Sequence, residues 1–324
     1  MKADAVTIAI GLNAAIIAIS GLTPRVLIVD EPGNGSKSDS LPLGPFDPQV
    51  HRTFEMGLRA SVADQTGLDL GYVEQLYTFG DRGRHERRDD AGLHIVSVGY
   101  LALTRIESEA DTGGRGWTDW YRYLPWEDWR PGRPALLDRT ILPRLAAWVN
   151  GPPAAGKAPS ALSRRSRVRL AFGLDDFPWD EERVLERYEL LYEAGLVEEA
   201  VADGRIVQTS LPQPLGRSMA FDHRRILATA VSRLRGKIKY RPVIFELMPP
   251  RFTLTELQAT VEAISGRHVH KQNFRRLVEG AELVEPTGES SARTGGRPAA
   301  LYRFRRAILE ERPAPGLKLG GRNV

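Results

Sequence analysis

The 324-residue sequence predicts an α+β chain of two folding units, on three observations: its length, an uneven spread of charge, and a change in apolar spacing near residue 221. One interior rarely organises so many residues, so two cores are expected. The formal charge is +4, yet residues 1–220 carry 25 basic and 31 acidic side chains, whereas residues 221–312 carry 18 and 10. The first stretch stands at −6 and the second at +8. After residue 221 the order becomes helix, link, helix, helix, strand, turn, strand.

Composition narrows the class. With 42% hydrophobic and 27% charged residues the chain falls in the range of globular proteins, neither disordered nor membrane-embedded. It has no cysteine, which removes disulfides, thiolate metal sites and cysteine nucleophiles together and fits a reducing, cytoplasmic setting. The start MKADAVTIAIGLNAAIIAIS resembles a signal peptide only superficially. Asp4 interrupts the basic region, Gly11 and Asn13 interrupt the apolar one, and two short strands are expected there. The later apolar runs are too short to span a membrane.

Residues 1–150 read as one domain. After RVLIVDE and the polar stretch GNGSKSDSLPLGPFDP, apolar Val50, Phe54, Leu58 and Val62 recur every four positions, predicting a helix over 50–66 that stops at Gly67. The β-rich runs YVEQLYTF and LHIVSVGYLALT flank a charged loop. Trp117, Trp120, Trp126 and Trp129 crowd among tyrosines and prolines, as in a core, an interface or an adenine-stacking surface. Residues 151–220 read as a linker and helical insert. There, WDEERVLERYELLYEAGL forms a helix with acidic residues in its first turn, and no motif is legible.

Residues 221–312 form the second domain, with 313–324 as a tail. Asp222 is expected to cap HRRILATAVSRLRGKI, whose Ile226, Ala230, Leu234 and Ile238 form one stripe. FTLTELQATVEAISG, capped by Thr253 or Thr255, and HKQNFRRLVEGAELVEP are the two members of a helix-turn-helix. In that motif the second helix buries one face and offers the other to base edges. Phe274, Leu277, Val278 and Leu283 suit the buried face. His270, Lys271, Gln272, Asn273, Arg275 and Arg276 suit the offered one, although a solvated helix face would carry similar letters. Two strands around a turn bearing Arg293 and Arg297 then read as a wing that follows a phosphate backbone. Lys237, Lys239 and Arg241 extend the basic patch. The partner implied is double-stranded DNA.

Two stretches together resemble the Nudix-related transcriptional regulators of NAD metabolism, of the NrtR and NadQ types. DHRRILATAVSRLRGKIKYRPVIFELMPPRFTLTELQ, NFRRLVEGAELVEPTGE and GRPAALYRF are similar to that family's winged-helix domain. LPLGPFDP, the helix ending DQTGL, and YVEQLYTFGDRGR are similar to its Nudix part. The resemblance implies an N-terminal Nudix-like α/β/α sandwich followed by a C-terminal winged helix-turn-helix. It also implies a homodimer on a palindromic operator and an effector that is NAD, ADP-ribose or an adenine nucleotide such as ATP.

Active Nudix helices present several glutamates that hold Mg²⁺. Aligned on Gly67 and Leu68, this chain has Arg52 at the upstream Glu position, Ala60 at the Arg, Ser61 at the next Glu, and Asp64 and Gln65 at the last two. One carboxylate survives. The resemblance therefore implies a repressor of NAD biosynthesis or salvage genes, with a catalytically inactive sensor and neither catalytic residues nor metal. Its alternative is a Mg²⁺-dependent hydrolase of ADP-ribose or a related nucleoside diphosphate. Arg25, Lys37, Arg82 and Arg84 are the expected phosphate contacts and Trp120 the expected stacking face; each also fits ordinary surface charge or core.

Overall fold

The computed structural model describes residues 7–30, 38–81, 93–106, 116–152, 161–204, 214–291 and 298–317. Its largest sheet has the order β6-β7-β1-β2-β8, with β5 also paired to β1. The strands are β1 (Thr7–Ser20), β2 (Thr23–Leu27), β5 (Leu43–Pro45), β6 (Tyr72–Phe79), β7 (Leu93–Leu103) and β8 (Trp117–Asp119); β3 (Val29–Asp30) and β4 (Asp39–Ser40) pair separately. β1 and β7 run parallel over eleven registered pairs, from Thr7↔Leu93 to Ile17↔Leu103. The two short strands expected at the start are instead one strand of 14 residues. Asn13, read as an interruption, is buried there and donates its amide to the Ser97 hydroxyl on β7.

Alternation along β1 sends side chains to opposite faces. Leu12, Ala14 and Ile16 pack under α1 (Phe54–Thr66) with Leu58 and Val62. Ala15 and Ile17 face the other way, into the larger core. The Thr53 hydroxyl caps α1 by accepting from the Met56 N–H, and Gly67 closes it in the left-handed region at φ 70°. The helix is thus shorter than the spacing predicted: Val50 lies before it and is exposed.

The opposite face is covered by α6 (His223–Ile238), completing an α/β/α sandwich. A side-chain carbon on Gly99 of β7 would stand 3.2 Å from Ile226 and 3.0 Å from Phe79, so a glycine there lets helix and sheet approach closely. The predicted stripe of Ile226, Ala230, Leu234 and Ile238 is buried, but so are Leu227, Ala228 and Val231, because α6 is enclosed on several sides. Asp222 makes no side-chain cap bond; its carboxylate pairs with Arg225 at 3.1 Å.

Between sheet and α6 the chain builds α2 (Leu142–Asn150), α3 (Arg164–Phe172), α4 (Val184–Glu193) and α5 (Glu198–Ala202). Of the acidic residues expected at the start of α4, Glu186 lies in its first turn, whereas Asp180, Glu181 and Glu182 precede Val184. Trp120 and Trp126, on short 3-10 turns, are wholly buried. One apolar core runs from the sheet through α4 and α6 to the last part of the chain.

That last part comprises α7 (Leu254–Ser265), α8 (Lys271–Ala281), an antiparallel pair β9 (Val284–Ser291) and β10 (Ala299–Phe304), and a short α9 (Ile308–Glu311). Phe252 adds a bridge to Tyr302, with N–H to carbonyl bonds of 3.0 and 2.8 Å in the two directions. The whole is a small winged helix-turn-helix. Among the described residues no helix is long and apolar enough to cross a membrane.

Candidate nucleic-acid interface

α7 starts at a reciprocal cap. The Thr253 hydroxyl accepts from the Glu256 N–H at 3.1 Å, and the Glu256 carboxylate accepts from the Thr253 N–H at 2.7 Å. Thr253 is 4% exposed, so its hydroxyl is committed to the helix and is no surface contact; Thr255 is exposed. The turn to α8 is pinned from α7. Gln258 donates to the Val269 carbonyl at 2.8 Å, and Glu262 accepts from the Val269 N–H at 2.9 Å. Partial burial would raise the Glu262 carboxyl, but these bonds, with those from Gln258 and His268, hold it below the usual range.

α8 divides as its letters predict. Phe274, Val278 and the following Leu283 are fully buried and Leu277 partly so, which seats the helix on the core. His270, Lys271, Gln272, Asn273, Arg275 and Arg276 are all exposed. Arg276 donates to the Asn273 side-chain oxygen at 3.2 Å, and neither Lys271 nor Arg275 is ion-paired among the described residues. Donors, an amide pair and uncompensated cations therefore cluster at the N-terminal half of an exposed helix face, the chemistry that reads base edges and holds phosphates.

The remaining basic residues divide less simply. Arg293 and Arg297 lie outside the described residues. Arg251, Arg303 and Arg305 meet Glu289, Glu285 and Glu311 at 2.6, 2.6 and 2.7 Å. Lys237 is held at 2.5 Å by Glu74 of β6 and donates to the Tyr72 hydroxyl at 2.7 Å. Lys239 is held by Glu181 and Glu182 at 3.0 and 2.5 Å. Neither lysine extends the patch on α8, because its charge is spent inside the fold; Arg241 is exposed and donates to the Pro313 carbonyl. Arg224 with Glu199 and Arg225 with Asp81 and Glu189 repeat the pattern. Much of the charge asymmetry in the sequence is thus complementarity between its two halves.

The expected effector contacts fare differently. Trp120 has no exposed surface and packs edge-on to Tyr121, so it is a core residue and offers no face for stacking. Arg25 is partly buried and donates to the Trp117 carbonyl at 2.9 Å. Lys37, Arg82 and Arg84 lie outside the described residues. On α1, Gln65 bridges to β5 by accepting from the Leu43 N–H at 3.3 Å and donating to the Leu43 carbonyl. Ser61 abuts Gly44, and Asp64 is exposed. Among the described residues, no group of three His, Asp or Glu is placed to hold a metal ion.

A cavity of about 560 Å³ between β6 and α6 is lined by Tyr77, Phe79, Arg225, Thr229, Ser232 and Arg233 among others. Its serine and threonine hydroxyls and Arg225 already have partners: Thr229 donates to the Arg225 carbonyl, Ser232 to that of Glu182, and Arg225 pairs with Glu189. Sequence reasoning did not find this cavity, because its walls come from segments about 150 residues apart.

Residues 244–304 match the model of the NrtR DNA-binding winged helix domain. This segment is thus similar to an NrtR-type winged helix. A 95-residue stretch is 45% identical to a protein of Acinetobacter baylyi named ADPR responsive transcriptional repressor NtrR, covering 29% of this chain and 38% of that relative. The fold as a whole is similar to Shewanella oneidensis NrtR, solved in complex with a 27mer DNA: TM-score 0.52 at 21% identity, over 93% of this chain and 95% of that one. It is likewise similar to a MutT/nudix family protein of Enterococcus faecalis, with TM-score 0.51 at 16% identity over 92% and 86%. The sandwich ahead of the winged helix is therefore similar in fold to that of these proteins, a Nudix-like fold.

Proposed function

We propose that this protein is a DNA-binding transcriptional repressor whose Nudix-like sandwich senses ADP-ribose and whose α8 reads a palindromic operator as part of a homodimer. The observation that carries the reading is the exposed set on α8, where Lys271, Gln272, Asn273, Arg275 and Arg276 stand opposite a fully buried Phe274. The name of the Acinetobacter relative supports both the repressor role and the effector. NAD biosynthesis or salvage genes are the targets, and a two-fold dimer matches two half-sites one DNA turn apart. His270 and Thr255 add polar contacts beside the reading face, and Arg241, Arg293 and Arg297 supply phosphate contacts. Arg25, with Lys37, Arg82 and Arg84, receives the effector's diphosphate.

The sandwich acts by binding and does not turn over. Of the box positions that hold metal in active Nudix enzymes only Asp64 keeps a carboxylate, while Gln65 is tied to β5. An electrophoretic shift with the promoter of a neighbouring NAD gene, with and without ADP-ribose, tests the reading. Specific retention altered by ADP-ribose is expected. Retention no better than random DNA in both conditions sinks it, and AMP release from ADP-ribose with Mg²⁺ that is lost in Asp64→Ala would install the hydrolase instead.

A further inference from the structure

The C-terminal end of α7 is gripped by a ring of buried polar groups drawn from three distant stretches of chain. Glu127 is fully buried between two fully buried arginines: Arg187 of α4 donates to both its oxygens at 2.6 and 2.8 Å, and Arg235 of α6 donates at 2.7 Å. Arg235 donates from its Nε to the Ile264 carbonyl at 2.8 Å, and Tyr121 donates its hydroxyl to the Ala263 carbonyl at 2.8 Å. The Trp129 backbone N–H donates to the Gly266 carbonyl at 2.6 Å. Carbonyls at a helix end lack intrahelical donors, and here each of these three receives one from outside the winged helix.

The seat has no slack. Gly266, at φ 75°, lies so close that an added side-chain carbon would stand 2.9 Å from both the Arg235 guanidinium and the Tyr121 hydroxyl and would meet the Glu127 carbonyl. The same ring reaches the sheet. Asp119 ends β8, accepts from the Tyr121 N–H at 2.9 Å and pairs with Arg25 in the β2–β8 ladder. An apolar residue at 127 would fill space without directing bonds, whereas a carboxylate between two guanidiniums fixes both their positions and, through Arg235, the end of α7.

We propose that Tyr121 and Glu127, joined through Arg235, are the positioning residues through which the Nudix-like sheet fixes the orientation of the α7–α8 pair. Together they set how tightly α8 engages DNA without touching it. The second step rests on the DNA-binding reading; the first rests on the geometry alone.

The chain has no cysteine, so labels can be placed cleanly. Spin labels at Met56→Cys on α1 and Gln272→Cys on α8, both exposed positions, report the distance between sandwich and reading helix in the full chain. A single narrow distribution is expected, broadened or displaced by Tyr121→Phe and more so by Glu127→Gln. Unlabelled Tyr121→Phe is expected to bind a duplex recovered from a randomised pool about tenfold more weakly, the size of effects carried by packed networks. An unchanged distance distribution with unchanged DNA affinity in folded Tyr121→Phe overturns the proposal. Should Glu127→Gln not fold, Tyr121→Phe alone decides. Should the parent bind no duplex, the DNA reading fails by itself and the distance measurement still decides whether the Tyr121–Glu127 cluster positions α7.

Discussion

Gly44 of β5 lies so close to Ser61 of α1 that a side-chain carbon on the glycine would stand 2.6 Å from the serine Cβ. Ser61 occupies the position of a metal-binding glutamate in active Nudix boxes, so the strand is sealed against the helix where that carboxylate would project. Gly44→Ala should therefore destabilise the fold by about 1–3 kcal/mol, the cost of overpacking a closed contact. Urea unfolding checks it; an unchanged midpoint would mean that β5 is free to move away from α1.

The split of α8 into buried and offered faces predicts opposite outcomes for neighbouring substitutions. Phe274→Ala should cost about 3–5 kcal/mol, because a fully buried ring leaves a cavity. Arg275→Ala should leave the melting temperature nearly unchanged, within about 0.5 kcal/mol in stability, since its side chain is exposed. For DNA, Lys271→Ala should reduce the slope of log affinity against log salt by about one. Calorimetry and binding isotherms at several salt concentrations separate the three.

Thr253 caps α7 and does not reach solvent, so Thr253→Ala should cost about 1 kcal/mol through the lost cap. Thr255→Ala should cost less in stability. A result in which Thr253→Ala left stability intact but abolished DNA binding would return Thr253 to the interface.

Acid should loosen the seat of α7. Burial alone would push the Glu127 carboxyl up, but Arg187 and Arg235 outweigh it and hold the carboxyl below the usual range. Glu181 and Glu262 are also lowered. A carboxylate depressed in the fold contributes its full stability above its unfolded pKa, near 4.5, and loses it as pH falls through the lower folded value. The melting temperature should therefore fall steeply below about pH 4.5, and the gap between wild type and Glu127→Gln should narrow over the same interval. Removing Glu127 outright, as Glu127→Ala, leaves two buried guanidiniums unpaired and should cost about 3–5 kcal/mol at pH 7.

The sequence was most readable where local chemistry decides. The α7 cap, the Gly67 stop and the two faces of α8 follow from spacing and cap residues, and each lies where the letters place it. It was least readable where partners are far apart in the chain. Asn13 looks like a strand break until Ser97 is beside it, and the helix 223–238 looks like part of the DNA-binding unit until the sheet is beneath it. Lys237 and Lys239 look like a phosphate patch until Glu74, Glu181 and Glu182 close on them. Trp120, offered as a stacking face, needed only its burial to be reassigned to the core.

The central claim is that α8 reads a particular DNA sequence. Fluorescence anisotropy of the full chain, titrated at fixed salt against a duplex selected from a randomised pool and against a shuffled duplex of the same composition, tests it most directly. The account predicts binding to the selected duplex at least ~10³-fold tighter, with the preference lost in the Asn273→Ala and Arg275→Ala double substitution. Equal affinity for the two duplexes would contradict it.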